Sequence, residues 1–257
     1  MTDWDAGTYH RLSAPQLAWG RTVAERLSPE AGERILDLGC GTGRLTAELA
    51  AGFPKVRFVG ADISHAMLAE ARRRSTGGAY VRADARGLPF AGAFDAVFST
   101  ATFHWVGDHE RLFAEIYATL RPGGRLLAQC GGGPNLQRLL DRTHELMESG
   151  TFQRYFRNWR DPWLFTGTTE TRTRLAAAGF TAIEVSLEPA PTTLPDRDSF
   201  ADFIACVCVR HHVDRVPADE RARFVGRLAD AAAGDDPPFT LDYWRLNLSA
   251  RKAGGAA

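Results

Sequence analysis

The 257-residue chain is long enough for one large α/β domain with an insertion, and its 44% hydrophobic and 24% charged residues predict an ordinary packed core. Its 31 basic and 31 acidic side chains cancel, which argues against a nucleic-acid partner held mainly through phosphates. No apolar run approaches the ~20 residues of a membrane-spanning helix, and the polar start is unlike a signal peptide. We therefore expect a cytoplasmic protein without a membrane partner. None of the four cysteines forms a C-x-x-C pair, and Cys206 and Cys208 lie in an apolar run that favours buried thiols over a metal or redox site, so a reducing compartment is expected.

Residues 1–33 precede the first predicted strand. A helix is expected in this segment from about Ser13, a suitable N-cap, to near Ser28. Its apolar residues have helical spacing, so the helix is expected to cover one face of a sheet. This packing role does not account for Tyr9 or Gln16, and a contact between these two side chains and a ligand stays open.

The first strand, residues 35–38, is followed at once by a glycine turn and a helix over residues 42–51. Gly39, Gly41 and Gly43 let the backbone turn sharply and approach a ligand closely. The N-terminus of the following helix adds free N–H groups. Strand, glycine turn and helix together predict the first half of a βαβ nucleotide site.

The turn departs from the dinucleotide pattern G-x-G-x-x-G, because the sixth position counted from Gly39 is Arg44. What stands instead is LDLGCGTG, with Asp37 near the strand end, and it resembles the first motif of the class I methyltransferases that use S-adenosylmethionine. The resemblance implies that the glycine turn lies against the methionine part of the cofactor and that Asp37 lies near its amino group.

The second predicted strand, residues 56–61, ends in Asp62. Asp62 follows Gly43 at about the spacing expected for a carboxylate that accepts hydrogen bonds from ribose hydroxyls. In the family the residues after this acid flank the adenine, which makes Ile63 and Met67 candidates. Simple core packing is the alternative for Met67.

The third predicted strand, residues 79–83, runs into Asp84 and Ala85. By resemblance, Asp84 accepts a hydrogen bond from the adenine amine and the backbone N–H of Ala85 reaches the ring. Turn capping is the alternative for a single aspartate at a strand end. Ser99, at the end of the fourth strand over residues 94–99, is also counted among the cofactor contacts.

The loop after the fourth strand carries His104 and Trp105. Ligands of open α/β sheets lie beyond the carboxyl ends of the strands, so this loop is expected to face the transferred methyl group. His104 is the best-placed base, or else an orienting donor. Trp105 is expected to form a wall of the pocket. The loop lacks the Asn/Asp-Pro-Pro-Tyr/Phe signature of enzymes that methylate nucleobase amines.

The next predicted elements are a helix over about residues 110–120 and a fifth strand over 125–129. Residues 131–165 then depart from the alternation of strand and helix expected of a Rossmann fold. This segment is rich in aromatic and arginine side chains. One interpretation is a substrate lid, with Trp159 and Arg160 as contacts. The other is a cap that packs its own small core.

The sixth strand is predicted over 180–187 and a final strand over 239–251. Between them lies an insertion, residues 190–236, with one helix over about 199–209 and another over 217–233. No crossover helix precedes the final strand, so it is expected to be antiparallel. His211 and His212 are adjacent and do not share a helix face, so no joint metal site of the two is expected.

The order of elements predicts a Rossmann-like, doubly wound α/β fold with a seven-stranded sheet, its last strand antiparallel, an N-terminal helical segment and a helical cap. We expect a single domain over 1–257. Within it, 1–33 is an N-terminal cap segment, 34–130 a cofactor-binding core, and 131–167 with 190–236 the substrate cap.

The whole order of motifs resembles small-molecule methyltransferases of the trans-aconitate methyltransferase type. The resemblance implies S-adenosylmethionine as cofactor, S-adenosylhomocysteine as product, and a small acid methylated at a carboxylate oxygen. The spacing of Tyr9, Ser13 and Gln16 also resembles plant salicylate-type carboxyl methyltransferases, in which Tyr contacts the cofactor and Gln helps to hold the substrate carboxylate.

Three alternatives stay open. A carbon or hydroxyl acceptor would need proton removal, with His104 as base, whereas a carboxylate with a pKa near ~4 needs none. A cofactor-binding scaffold without turnover and a nicotinamide-dependent dehydrogenase are the others. The expected partner is a small-molecule substrate, and the expected state is a monomer or weak dimer.

Overall fold

The computed structural model describes residues 14–74 and 78–254. Its main feature is a seven-stranded sheet, accompanied by a separate pair of short strands. In chain order the strands are β1 (Arg34–Leu38), β2 (Arg57–Asp62), β3 (Ala79–Arg82), β4 (Phe94–Thr100), β5 (Leu120–Gly131), β6 (Thr181–Pro189), β7 (Thr192–Thr193), β8 (Thr240–Leu241) and β9 (Trp244–Arg251). Strands β7 and β8 form the small sheet.

Helices surround the sheet and build the cap. They are α1 (Ala14–Leu27), α2 (Arg44–Gly52), α3 (His65–Arg74), α4 (His109–Thr119), α5 (Gln137–Glu148), α6 (Thr168–Ala177), α7 (Arg197–Phe203), α8 (Arg210–Arg215) and α9 (Ala218–Ala232). Short 3-10 turns lie at Phe103–Trp105 and Gln153–Tyr155. Within the described residues, none of the helices has the length and apolar character that crossing a membrane requires.

The strand order of the large sheet is β3-β2-β1-β4-β5-β9-β6. Strands β1 to β5 are parallel to one another, and β9 runs antiparallel between β5 and β6. The predicted doubly wound fold with an antiparallel last strand is confirmed. The carboxyl ends of β1, β2 and β4 consequently meet at one edge of the sheet, where α/β folds bind their ligands.

Alternate side chains of the central strands enter two cores. Leu36 and Leu38 of β1 pack with α4 on one face, and Ile35 packs with α1 on the other. All three are at most 1% exposed, as expected for a parallel sheet covered on both faces. Helix α1 therefore covers one face of the sheet, in agreement with its amphipathic pattern.

The cap has an apolar core of its own, formed by α5, α7, the residues after α7 and α9. The single helix predicted over 199–209 was wrong in detail. Asp196 accepts the N–H of Ser199 and starts α7 earlier, and Ile204–Cys208 continue as a π-helix. The final strand also begins later than predicted, because Asp242 and Tyr243 separate β8 from β9.

Candidate active site

The turn after β1 has the backbone conformation that its glycines suggest. Gly39, Gly41 and Gly43 have φ angles of +79°, +53° and +69°, in the left-handed region that favours glycine. A Cβ on Gly39 would lie 2.0 Å from Oγ1 of Thr102, whereas a Cβ on Gly41 would meet nothing within 4 Å. Close packing against Thr102 thus requires glycine at position 39, whereas the space above Gly41 is open to a ligand.

Asp62 lies at the end of β2, and backbone N–H groups hold both of its carboxylate oxygens. Gly41 donates to Oδ2 at 2.9 Å and Ser64 donates to Oδ1 at 2.8 Å. Asp62, Ile63 and Met67 line the main cavity, which has a volume of about 310 Å³. The carboxylate is therefore oriented towards the cavity before any ligand binds.

Asp84 and Ala85 line the same end of the cavity. Asp84 accepts the backbone N–H of Arg86 at 2.9 Å and pairs with its guanidinium at 2.6 Å. The hydrogen bond from the Arg86 side chain is the main cause that lowers the pKa of Asp84. A charged acceptor at this position fits a ligand that presents an amine.

Three residues predicted as cofactor contacts lie behind the cavity instead of lining it. Asp37 is 3% exposed and accepts the hydroxyl of Thr46 at 2.5 Å, beneath the glycine turn. Ser99 is fully buried and donates to the carbonyl of Leu38 at 2.6 Å. Gly43 forms the N-terminal end of α2, beside Tyr80. These positions favour a structural role in holding the turn.

His104 lies in the 3-10 turn after β4 and lines the other end of the cavity. The backbone N–H of Gly131 donates to its Nδ1 at 3.3 Å. Burial, together with the nearby Arg245, lowers the pKa of His104 to about 3. The ring is thus neutral at pH 7, and with Nδ1 acting as acceptor its single proton lies on Nε2.

Two further donors line the cavity near His104, and the sequence analysis missed both. Arg245 on β9 is 4% exposed; its Nε donates to Oε1 of Gln129 at 3.3 Å, and its guanidinium lies 4.4 Å from the ring centre of Trp19. Asn135 accepts the N–H of Trp244 through Oδ1 at 3.0 Å. Its Nδ2 amide has no acceptor in residues 14–74 and 78–254, and it is available to a ligand. The signal in the sequence that could have revealed Arg245 is an arginine inside a predicted strand, because an arginine that is buried there needs a partner.

Aromatic rings form the wall beside these donors. Trp105 meets Trp163 edge-on at 5.8 Å and His211 at 5.3 Å, and Trp163 stacks on Phe165 at 5.9 Å. The wall position predicted for Trp105 agrees with this geometry. Aromatic rings therefore line the cavity beside His104.

Trp159 and Arg160, predicted as substrate contacts, line a separate surface groove of the cap. Their positions argue against a direct substrate contact, and Trp163 takes the wall position instead. Tyr9 lies outside the described residues. Gln16 falls within α1, and its side chain is also outside the described part of the protein.

Comparisons with known proteins identify the family of the chain. The family described as a methyltransferase domain matches residues 35–124. The chain is 30% identical to the trans-aconitate 2-methyltransferase of Methylobacterium nodulans, over 98% of this chain and 99% of that protein. The same identity and coverage relate it to the trans-aconitate 2-methyltransferase of Escherichia coli O1:K1.

Solved structures agree on the fold. Phosphoethanolamine N-methyltransferase 2 of Haemonchus contortus, in complex with phosphomonomethylethanolamine and S-adenosylhomocysteine, superposes with a TM-score of 0.62 at 20% identity. The match covers 96% of this chain and 57% of that one. At this identity the likeness supports the Rossmann-like fold alone.

Proposed function

The chain belongs to the S-adenosylmethionine-dependent methyltransferases of the trans-aconitate type, and from that premise we propose that it methylates a small-molecule acid at a carboxylate oxygen. One observation carries the proposal: the acceptor end of the cavity presents N–H donors from His104, Asn135 and Arg245. Among the described residues that line the cavity, the carboxylates Asp62 and Asp84 both belong to its other end. A face made of donors fits an anionic acceptor.

The residues at the other end fit the cofactor. The open space above Gly41 would take its methionine part, Asp62 its ribose hydroxyls, and Asp84 with Ala85 its adenine. When bound, S-adenosylmethionine supplies an electrophilic methyl group. Ile63 and Met67 line this end and would flank the adenine.

His104 acts in this proposal as a donor and not as a base. Its Nδ1 is engaged by Gly131, and a pKa near 3 makes the ring a poor proton acceptor at neutral pH. An acid is already ionised at that pH, so no proton has to be removed. The Nε2–H can instead hold the carboxylate oxygen that does not attack.

Arg245 supplies the positive charge. A buried guanidinium beside a carboxylate forms short, charge-assisted hydrogen bonds whose geometry is fixed. Asn135, held by the backbone N–H of Trp244 next to Arg245, adds a neutral donor. Together with the aromatic wall, these groups orient the attacking oxygen and exclude water, which contributes much of the rate in a direct displacement.

The names of the relatives suggest which acid to try first. Trans-aconitate carries three carboxylates, and the proposed donor set can hold one while another is methylated. We further propose a single domain in which segments 131–167 and 190–236 form the substrate cap, and a reducing, cytoplasmic location, which the four free cysteines support.

The test is release of S-adenosylhomocysteine across a split panel. One half holds di- and tricarboxylates, fatty acids and aryl acids; the other holds phenols, 2-keto acids and prenyl diphosphates. We expect turnover with acids only, and mass spectrometry of the product should give a methyl ester that alkali hydrolyses. Turnover confined to the second half would overturn the carboxylate proposal.

A further inference from the structure

Two histidines and one carboxylate converge on the cap, apart from the cavity described above. His144 lies on α5, Asp161 lies between the 3-10 turn Gln153–Tyr155 and α6, and His212 lies on α8. One side-chain N or O atom of each residue lies within 4.8 Å of the other two. Elements that are distant in sequence thus bring three potential metal ligands together.

The carboxylate lies between the two imidazoles. Nε2 of His144 is 2.9 Å from Oδ2 of Asp161, and Nε2 of His212 is 3.3 Å from Oδ1. The indole N–H of Trp159 donates to Oδ1 at 2.9 Å and fixes the orientation of the carboxylate. Such an outer hydrogen bond to a ligating carboxylate is typical of built metal sites.

His212 is an independent sign of a ligand. Its side chain is fully buried, Nδ1 has no hydrogen-bond partner in the part of the chain that the structure describes, and Nε2 has only the 3.3 Å contact with Asp161, which lacks hydrogen-bond geometry. The rings of Trp159 and Trp163 lie 4.7 and 5.5 Å from it. Buried polar atoms are normally satisfied, so an imidazole held here without a hydrogen bond requires an explanation.

We propose that His144, Asp161 and His212 bind one divalent transition-metal ion of the zinc class. Two imidazole nitrogens and one carboxylate oxygen form a ligand set that suits zinc. Ligand atoms around a tetrahedral zinc ion are about 3.3 Å apart, close to both distances from the carboxylate to the histidines. His144 is 43% exposed and lines a surface groove, so it gives the ion an entry path and leaves room for water.

The ion would brace the wall of the acceptor cavity from behind. Pro162 and Trp163, which follow Asp161, line that cavity, and so does His211, the neighbour of His212. Metal binding ties this segment to α8 and to α5. The role is structural and does not depend on which acceptor the enzyme methylates.

The test uses the full chain after treatment with a chelator, with Co²⁺ as a spectroscopic probe and Zn²⁺ in titration calorimetry. We expect one ion per chain, visible absorption from bound Co²⁺, and a higher midpoint of thermal unfolding with Zn²⁺. His144→Ala removes an exposed ligand and should weaken binding at least ~100-fold without unfolding the cap. Asp161→Asn should have a comparable effect.

His65→Ala is the matched control, because His65 is an exposed histidine on α3 and should leave the metal affinity unchanged. Circular dichroism of each variant checks that the fold is kept. The proposal is overturned if the wild-type chain takes up no stoichiometric ion, or if His144→Ala and Asp161→Asn bind the metal as the wild type does.

Discussion

The two ends of the main cavity are built in different ways. At the end that we propose for the cofactor, backbone groups make the site: the left-handed glycines of the turn and the N–H groups that hold Asp62. At the end that we propose for the acceptor, side chains from β4, β5 and β9 and their loops meet, with Arg245 and Asn135 brought together from segments distant in sequence. Local sequence therefore encodes the first end, whereas the second depends on how the whole chain packs.

The largest expected effect concerns Arg245. Arg245→Met removes the buried positive charge that we propose pairs with the substrate carboxylate. The value of kcat/KM should fall roughly 100- to 1000-fold, as when one partner of a buried charge pair is removed. The affinity for S-adenosylmethionine, measured by calorimetry, should stay within about twofold. Arg251→Met, an exposed position on the same strand, is the control. Equal losses in both variants would contradict the division of the cavity.

A substitution at Asp62 should do the reverse. Asp62→Asn weakens the two charge-assisted hydrogen bonds that we propose between this carboxylate and the ribose hydroxyls of the cofactor. At about 1.5 kcal/mol each, their weakening should lower the affinity for S-adenosylmethionine roughly 100-fold. The KM for the acid should hardly change. Asp198→Asn, on the exposed start of α7, should behave as wild type in the same titration. A large change in the acid KM alone would count against this assignment.

Alanine substitutions at two glycines distinguish the stability cost of a left-handed backbone from the cost of a steric clash. Gly39 and Gly123 both have φ near +80°, yet only at Gly39 would a Cβ clash, 2.0 Å from Thr102. Gly123→Ala should cost about 1 kcal/mol of unfolding free energy, and Gly39→Ala roughly 3 kcal/mol or more. Denaturant unfolding measures both. Equal costs would show that the turn does not need the close approach.

The carboxyl beneath the glycine turn, Asp37, should give the unfolding free energy a pH dependence. Burial raises the pKa of Asp37 from 3.8 to about 7, although Thr46 opposes the rise. The folded state thus binds a proton that the unfolded state releases between pH ~4 and ~7, and the unfolding free energy falls as the pH rises. The maximal slope is about 1.4 kcal/mol per pH unit.

Asp37→Asn removes this titration. Its unfolding midpoint should therefore improve relative to the wild type as the pH rises from ~4.5 to ~7.5. The comparison uses thermal unfolding of the chain without cofactor. A difference that stays constant across this range would mean that Asp37 is ionised in the folded state.

The same contrast explains what could be predicted from the sequence. The glycine turn, Asp62 and the succession of strands and helices along the chain depend on local spacing and hydrophobic period, and the structure has them where they were predicted. Trp159 and Arg160 were assigned to the substrate from composition alone, and they line another groove. Asn135 and Arg245 are brought to the cavity only when β9 inserts beside β5, and no local pattern in the sequence predicts that pairing.

The most direct test of the donor face is the pH dependence of kcat/KM for the acid, in the wild type and in His104→Gln. Because His104 is neutral down to a pKa near 3, we expect a flat wild-type profile from pH 6 to about 9. Glutamine keeps a donor, so the loss should be about tenfold or less, with the same flat profile. A wild-type kcat/KM that falls as the pH is lowered through about 6.5, with no such fall in His104→Gln and a loss above ~1000-fold in that variant, would show that His104 is a base and contradict the account.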